Sequence, residues 1–201
     1  MAKQPHQRDL RHRLAAQAAK LMAEAGGLSY AQARDKAAKQ LNCNDRRQLP
    51  DNREIEAALQ SHLQLFQPQD QPSHLITLRK TALNAMRTFN QFQPQLVGPV
   101  FLGTAIQHTP ISLILFSDTV EAVVLEMMER HIPYQQKEIR VDYSKQKGVQ
   151  RTRLTFIAGE EQIELLILPL SDRHNLPLDL IQGRPQKGAS ISKVGTMLES
   201  T

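Results

Sequence analysis

The sequence predicts an α+β protein, with a helical N-terminal segment followed by a mixed β-sheet domain with flanking helices. Three observations carry that expectation. Apolar residues recur at helical spacing through the first part of the chain, and from Pro94 they give way to short continuous or alternating apolar runs. The charge divides at a similar place. Residues 1–53 hold eleven Lys/Arg against five acids, a net +6, so the other 148 residues carry −1 of the chain's +5.

Leu10, Leu14, Ala18, Leu21 and Ala25 form the first helical stripe, and Gly26-Gly27 ends it. Ser29 is placed to cap a second helix with Tyr30, Ala33, Ala37 and Leu41 along one face. The many alanines favour helix and let helices approach closely. Pro50 breaks the chain. Asp51 then opens a third helix, with Glu54 at capping-box spacing and Ile55, Leu59, Leu63 and Phe66 on its apolar side. Gln67-Pro68-Gln69-Asp70-Gln71-Pro72 reads as a linker, so the expected division sets residues 1–67 against residues 73–201. Ser73 begins a fourth helix bearing Leu75, Leu78, Ala82, Met86 and Phe89.

The β-type segments follow. Residues 96–102 read as a strand interrupted by Gly98-Pro99 and leading to Gly103. Ile111–Phe116 is apolar on both faces, the pattern of a strand inside a covered sheet. Asp118 with Glu121 is placed to cap a helix over 118–131, which Ile132-Pro133 ends. Strands are expected over 137–143, 151–157 and 161–168, with Ala158-Gly159-Glu160 turning between the last two. All five segments should share one sheet, with 111–116 and 161–168 among its most buried strands. Gly183-Arg184-Pro185 marks a turn, and Ser190 caps a last helix over Ile191–Leu198.

Composition narrows the function classes. A hydrophobic fraction of 40% and a charged fraction of 22% are those of a globular chain. The single cysteine, Cys43, excludes an intramolecular disulfide framework and a cysteine-built zinc cage, and reads as an incidental thiol or a reactive one. Met1 to Arg13 is polar and charged, without the apolar run of a signal peptide, and Ile111–Phe116 is too short to span a bilayer. The expected address is therefore cytoplasmic, with no membrane partner. The basic first part has two open readings. It is an electrostatic footprint for RNA or DNA phosphates, with Lys36, Lys39, Arg46 and Arg47 as candidate contacts, or it is a solvated helix surface.

The most informative stretch is Leu102-Gly103-Thr104, then Thr109-Pro110-Ile111-Ser112-Leu113, then Gln162-Ile163-Glu164-Leu165-Leu166. In its order of elements, residues 95–170 resemble the nucleotidyltransferase domain of the DNA polymerase beta superfamily. That signature is an apolar residue, Gly and Ser or Thr, a spacer of about ten residues, then Asp-apolar-Asp opening a strand, with a third carboxylate on a later strand. The whole chain also resembles a bacterial group described as nucleotidyltransferase-like, through Leu49-Pro50-Asp51-Asn52-Arg53-Glu54-Ile55-Glu56-Ala57-Ala58-Leu59 and Leu96-Val97-Gly98-Pro99-Val100. The resemblance implies a nucleotidyltransferase-like domain over 73–201 with a Mg²⁺-dependent site. It places Gly103 and Thr104 at the phosphate and Glu164 at the third carboxylate.

The residues themselves depart from that implied chemistry. Nucleotidyl transfer needs divalent metal to neutralise the phosphates and align the attacking oxygen. Two carboxylates at i and i+2 on a strand would project to one side and hold it, but those positions here are Pro110 and Ser112. The metal motif is degenerate, so no catalytic or metal-ligating residue is assigned beyond the candidate Glu164. Mg²⁺ is expected only if an acid such as Glu161 or Asp118 rebuilds the site. Gly103, Thr104 and Ser112 are candidate phosphate or nucleotide contacts that require no metal. Gly103 reads equally as a turn glycine and Ser112 as a satisfied core hydroxyl. An unpaired carboxylate on an apolar strand is costly, so Glu164 should line a wet cleft or pair with Arg140, Arg151 or Arg153.

Other chemistry is not signalled. The seven histidines are scattered, and His108 alone lies near Gly103 in sequence. No P-loop, dinucleotide fingerprint or Gly-x-Ser-x-Gly elbow is present. The leading expectation is a nucleotidyltransferase-fold protein with weak or no metal-dependent catalysis, binding a nucleotide, a nucleic-acid end or a protein partner. The rivals are an active metal-dependent nucleotidyltransferase and a nucleic-acid-binding adaptor acting through the basic helices.

Overall fold

The computed structural model describes residues 5–25, 28–43, 45–66, 70–105, 108–179 and 183–199. Lys3, Gly26-Gly27, Asn44 and the first half of the expected linker, Gln67-Pro68-Gln69, lie outside them. The chain divides into two compact units, at Pro72 and Ser73.

The first unit holds helices α1 (Pro5–Ala25), α2 (Tyr30–Gln40) and α3 (Asn52–Phe66), with a short 3₁₀ turn at Arg46–Gln48. Leu14, Ala15, Ala18 and Ala19 of α1, Ala33 and Ala37 of α2, and Ile55, Leu59 and Leu63 of α3 are all buried. Alanine at most of the α1 and α2 positions lets those helices close without large side chains to interdigitate. The expected Ser29 cap forms, as a full capping box with Gln32, and so does the expected box of Asp51 with Glu54. The Gln32 N–H donates to Ser29 Oγ at 3.2 Å and the Ser29 N–H to Gln32 Oε1 at 3.0 Å. The Glu54 N–H donates to Asp51 Oδ1 at 2.9 Å and the Asp51 N–H to Glu54 Oε2 at 2.7 Å. Each box satisfies helix N–H groups that have no intrahelical acceptor, worth about 1 kcal/mol.

The second unit is α+β. It contains most of α4 (Asp70–Thr88), then β1 (Gln95–Val97), α5 (Gly98–Leu102), β2 (Ile111–Phe116), α6 (Val120–Glu129), β3 (Gln135–Val141), β4 (Val149–Ala158), β5 (Glu161–Leu168) and α7 (Ile191–Glu199). The five strands form one mixed sheet in the order β1-β2-β5-β4-β3, and β2 with β5 is its parallel pair. On one face, Ile111, Leu113 and Leu115 of β2, Leu154 and Phe156 of β4, and Ile163, Leu165 and Ile167 of β5 meet Leu78, Met86 and Phe89, Val123 and Met127, and Val194. Phe89 and Phe156 pack edge to face with centroids 6.0 Å apart. The opposite face is covered only in part, where Val97, Ile114, Phe116 and Leu168 lie with Leu176.

Several expectations are corrected. Residues 96–102 are not one strand, because β1 stops at Val97. Gly98 turns the chain at φ +70° into α5, Pro99 sits in its first turn with φ fixed near the helical value and no N–H to lose, and Gly103 ends it at φ +81°. Asp118 does not cap α6. Thr119 occupies the N-cap without a side-chain bond, and the Asp118 carboxylate instead accepts from the Leu170 N–H at 3.2 Å. The helix α6 ends at Glu129, before Ile132-Pro133, with His131 at φ +56°. The helix α4 starts at Asp70 rather than Ser73, since a proline in a first turn sacrifices no needed hydrogen bond. No described helix is long and apolar enough to cross a membrane.

Candidate functional site

Side chains alternate across a strand, so residues in register on neighbouring strands share a face. Val97, Ser112, Glu164, Thr155 and Gln135 are successive register partners across β1, β2, β5, β4 and β3. Gln95, Ile114, Leu166, Arg153 and Lys137 form the next row. Both rows lie opposite the main core. Ser112, Glu164, Thr155 and Arg153 are half-buried, and Gln135 and Lys137 exposed, so this end of the face is open to solvent.

Glu164 is held by an arginine. Arg153 donates Nη1 to Glu164 Oε2 at 3.0 Å, and Gln162 Nε2 lies 3.4 Å from Oε1. The pairing alternative for Glu164 is therefore the one that forms, with Arg153 as the base. Lys137 sits directly across from Arg153 in register. Two like charges opposed on one face are unfavourable, and Glu164 offsets part of that repulsion. The Arg153 Nε is buried and has no hydrogen-bond partner among the described residues.

Beside this pair is a second cluster. Tyr143 donates its hydroxyl to Asp172 Oδ2 at 2.5 Å, while Arg151 reaches the same oxygen through Nη2 at 3.0 Å and the Tyr143 hydroxyl through Nε at 3.2 Å. Burial pushes the Tyr143 phenol up to about 12, the Asp172 carboxylate adds to that, and Arg151 opposes it. The cluster ties the 3₁₀ turn Leu170–His174 to the sheet.

The structure brings two of the expected site residues, Ser112 and Glu164, side by side. Gly103 and Thr104 are anchored elsewhere. A Cβ on Gly103 would meet Leu75 at 3.7 Å and Arg79 at 3.8 Å. Arg79 donates Nε to the Val100 carbonyl at 3.3 Å, and burial lowers its pKa. Thr104 is buried, its N–H donating to the Pro99 carbonyl at 3.0 Å and its Oγ1 without a partner among the described residues. The glycine lying against Ser112 is Gly98, where a Cβ would stand 3.8 Å from Ser112 Cβ and Oγ. Lys137 and Thr155 were not singled out by sequence, and Gly98 was quoted for the family resemblance without being assigned to the site. The period of two over 151–155 and 135–137 was the available signal for Lys137 and Thr155.

In the helical unit, Lys36, Lys39, Arg46 and Arg47 are all exposed, and among the described residues none of them forms an ion pair. Arg11 is different. Its Nε meets both oxygens of Glu54 at 2.7 and 2.8 Å, joining α1 to α3, and that bond raises its pKa. Lys20 lies 3.7 Å from Glu24.

Among the described residues no group of three or more His, Cys, Asp or Glu side chains could hold a metal ion. Comparison of the chain with family models, with curated proteins and with solved structures finds no match.

Proposed function

We propose that this protein is a nucleotidyltransferase-like binding module that holds the phosphate of a nucleotide or nucleic-acid end on the open sheet face, without metal-dependent transfer. The observation that carries this reading is the engagement of Glu164 by Arg153 next to Ser112. The Mg²⁺ that the family resemblance implies does not fit the residues present. Pro110 and Ser112 supply no carboxylate, and the one acid in place is neutralised by an arginine. The same surroundings suit an anion. Lys137 and Arg153 line the face, with the Ser112 and Thr155 hydroxyls in the adjacent row, while Arg151 beside them is held by Asp172. Gly98 matches the signature in spacing alone, since Pro99 stands where the signature has Ser or Thr. Val97-Gly98-Pro99 precedes Pro110 by the ten residues 100–109, whereas five residues separate Thr104 from Pro110.

The test is an amide NMR titration of the labelled chain with a mononucleotide in the presence of chelator. The expected outcome is saturable shifts at Gly98, Ser112, Thr155 and Lys137. Shifts confined to other residues, or appearing only with Mg²⁺, would sink the proposal.

A second reading is favoured by the four exposed basic residues of the helical unit that have no ion-pair partner among the described residues. In it, Lys36, Lys39, Arg46 and Arg47 bind nucleic-acid phosphates irrespective of sequence.

A further inference from the structure

At the far end of β2 from Ser112, a cavity of about 670 Å³ opens beside Phe116. Its polar lining includes Arg173, His174, Ser190, Ser192, Asn90 and Gln95, and no acid is among its lining residues. We infer that this cavity is a binding site for a small phosphomonoester, distinct from the Ser112–Arg153 part of the sheet face.

Arg173 carries the inference. It is half-buried, and among the described residues it forms no ion pair. Asp172, the acid next to it in sequence, is already taken by Tyr143 and Arg151. A partly desolvated guanidinium without a counter-ion, in a cavity without an acid, calls for an anion from outside. The donor set selects among anions. Ser190 and Ser192 are hydrogen-bonded to each other at 3.0 Å, so the pair has one hydroxyl proton to give beside the Arg173 fork and the His174 imidazole. Donors spread over three residues suit the three tetrahedral terminal oxygens of a phosphate better than the two coplanar oxygens of a carboxylate. The volume leaves room for an organic body, since ligand cavities run from roughly 300 to 1,000 Å³. The Asn90 and Gln95 amides can donate to and accept from an uncharged polar group on that body.

The fold builds the cavity from three directions and holds each in place. Leu96 and Ala189 exchange two backbone hydrogen bonds of 2.9 Å, which sets the start of α7 beside β1. Gly188 permits that approach, because an added Cβ would lie 2.8 Å from Gln95 Cβ and 2.4 Å from its Oε1. The Tyr143–Arg151–Asp172 cluster fixes the turn that ends in Arg173 and His174.

The experiment is calorimetric titration of the full chain in chelator with AMP, ribose 5-phosphate, inorganic phosphate, acetate and adenosine at constant ionic strength. In the Arg153→Ala background AMP or ribose 5-phosphate should bind saturably, acetate and adenosine should not, and adding Arg173→Ala should weaken the phosphomonoester at least tenfold. The Arg173 side chain forms no ion pair among the described residues, so the variant should keep its thermal midpoint, and Arg173→Lys should restore part of the affinity. The variant Arg153→Ala separates this site from the sheet face. Loss of all phosphomonoester binding there, with Arg173→Ala unaffected, would overturn this inference and leave the sheet-face proposal standing. Absence of saturable binding at millimolar phosphomonoester, or acetate binding as well as phosphate, would also overturn it.

Discussion

Ser112 on β2 and Glu164 on β5 are register partners on adjacent parallel strands, and the carboxylate turns to Arg153 on the strand beyond. The arrangement places a hydroxyl and an acid in one row across the sheet and the base that pairs with the acid in the next row. A lone carboxylate so engaged is a poor metal ligand, because binding a dication would require breaking its ion pair. These two rows are better suited to hold an anion beside Arg153 and Lys137 than a cation beside Glu164.

The close approach of Gly98 to Ser112 depends on a backbone conformation that other residues enter at a cost. Gly98 sits at φ +70°, and its Cβ direction is free to ordinary van der Waals distance. Gly98→Ala should therefore destabilise the chain by about 1–2 kcal/mol through backbone strain, with little steric clash. Urea denaturation checks this. An unchanged midpoint would mean that the turn after β1 does not need the left-handed region.

Tyr143 predicts a pH dependence at the alkaline end. Its phenol is raised to about 12 in the folded chain, against about 10 when unfolded. The folded state thus keeps a proton that the unfolded state sheds. The resulting stability is complete below about pH 10 and is lost as pH rises through about 12. Denaturant titrations above pH 10 should show stability falling more steeply for the native chain than for Tyr143→Phe. The ultraviolet phenolate titration should lose its latest phase in that variant. Equal slopes would contradict the buried Tyr143–Asp172 bond.

The helical unit makes a prediction about salt. If Lys39, Arg46 and Arg47 contact phosphates, generic duplex DNA or RNA should bind at low ionic strength and weaken steeply as salt rises. Replacing those three residues with Ala should reduce the slope of log K against log salt by about 2 to 3 without changing sequence preference. Fluorescence anisotropy measures both. No binding at low salt would leave the basic surface a solubilising one.

Much of the fold was legible because its determinants are local. Ser29 with Gln32, and Asp51 with Glu54, act within one turn of helix, and the two-faced apolar run Ile111–Phe116 declares a covered strand by itself. Asp118 shows the limit of that logic. It has the same spacing to Glu121, but Leu170, 52 residues away, offers a backbone N–H that takes the carboxylate. The first strand was overextended because Val100–Leu102 is apolar in either state, and the turn at Gly98-Pro99 decided the outcome. The pairing of Ser112 with Glu164 depends on a parallel contact across α6, β3 and β4, and the period of neither strand encodes its partner. Gly98 was passed over for Gly103 because both precede β2, and what separates them is which one lies against Ser112.

The central claim is that the open sheet face binds a nucleotide phosphate through Arg153 and without a divalent metal. Calorimetric titration with a nucleoside triphosphate, in the Arg173→Ala background and with either chelator or Mg²⁺, tests it most directly. The account predicts saturable binding in chelator, no gain from Mg²⁺ beyond its effect on the free nucleotide, and roughly tenfold or greater weakening on adding Arg153→Ala. Binding that requires Mg²⁺, binding indifferent to Arg153→Ala, or release of pyrophosphate during the titration would contradict it.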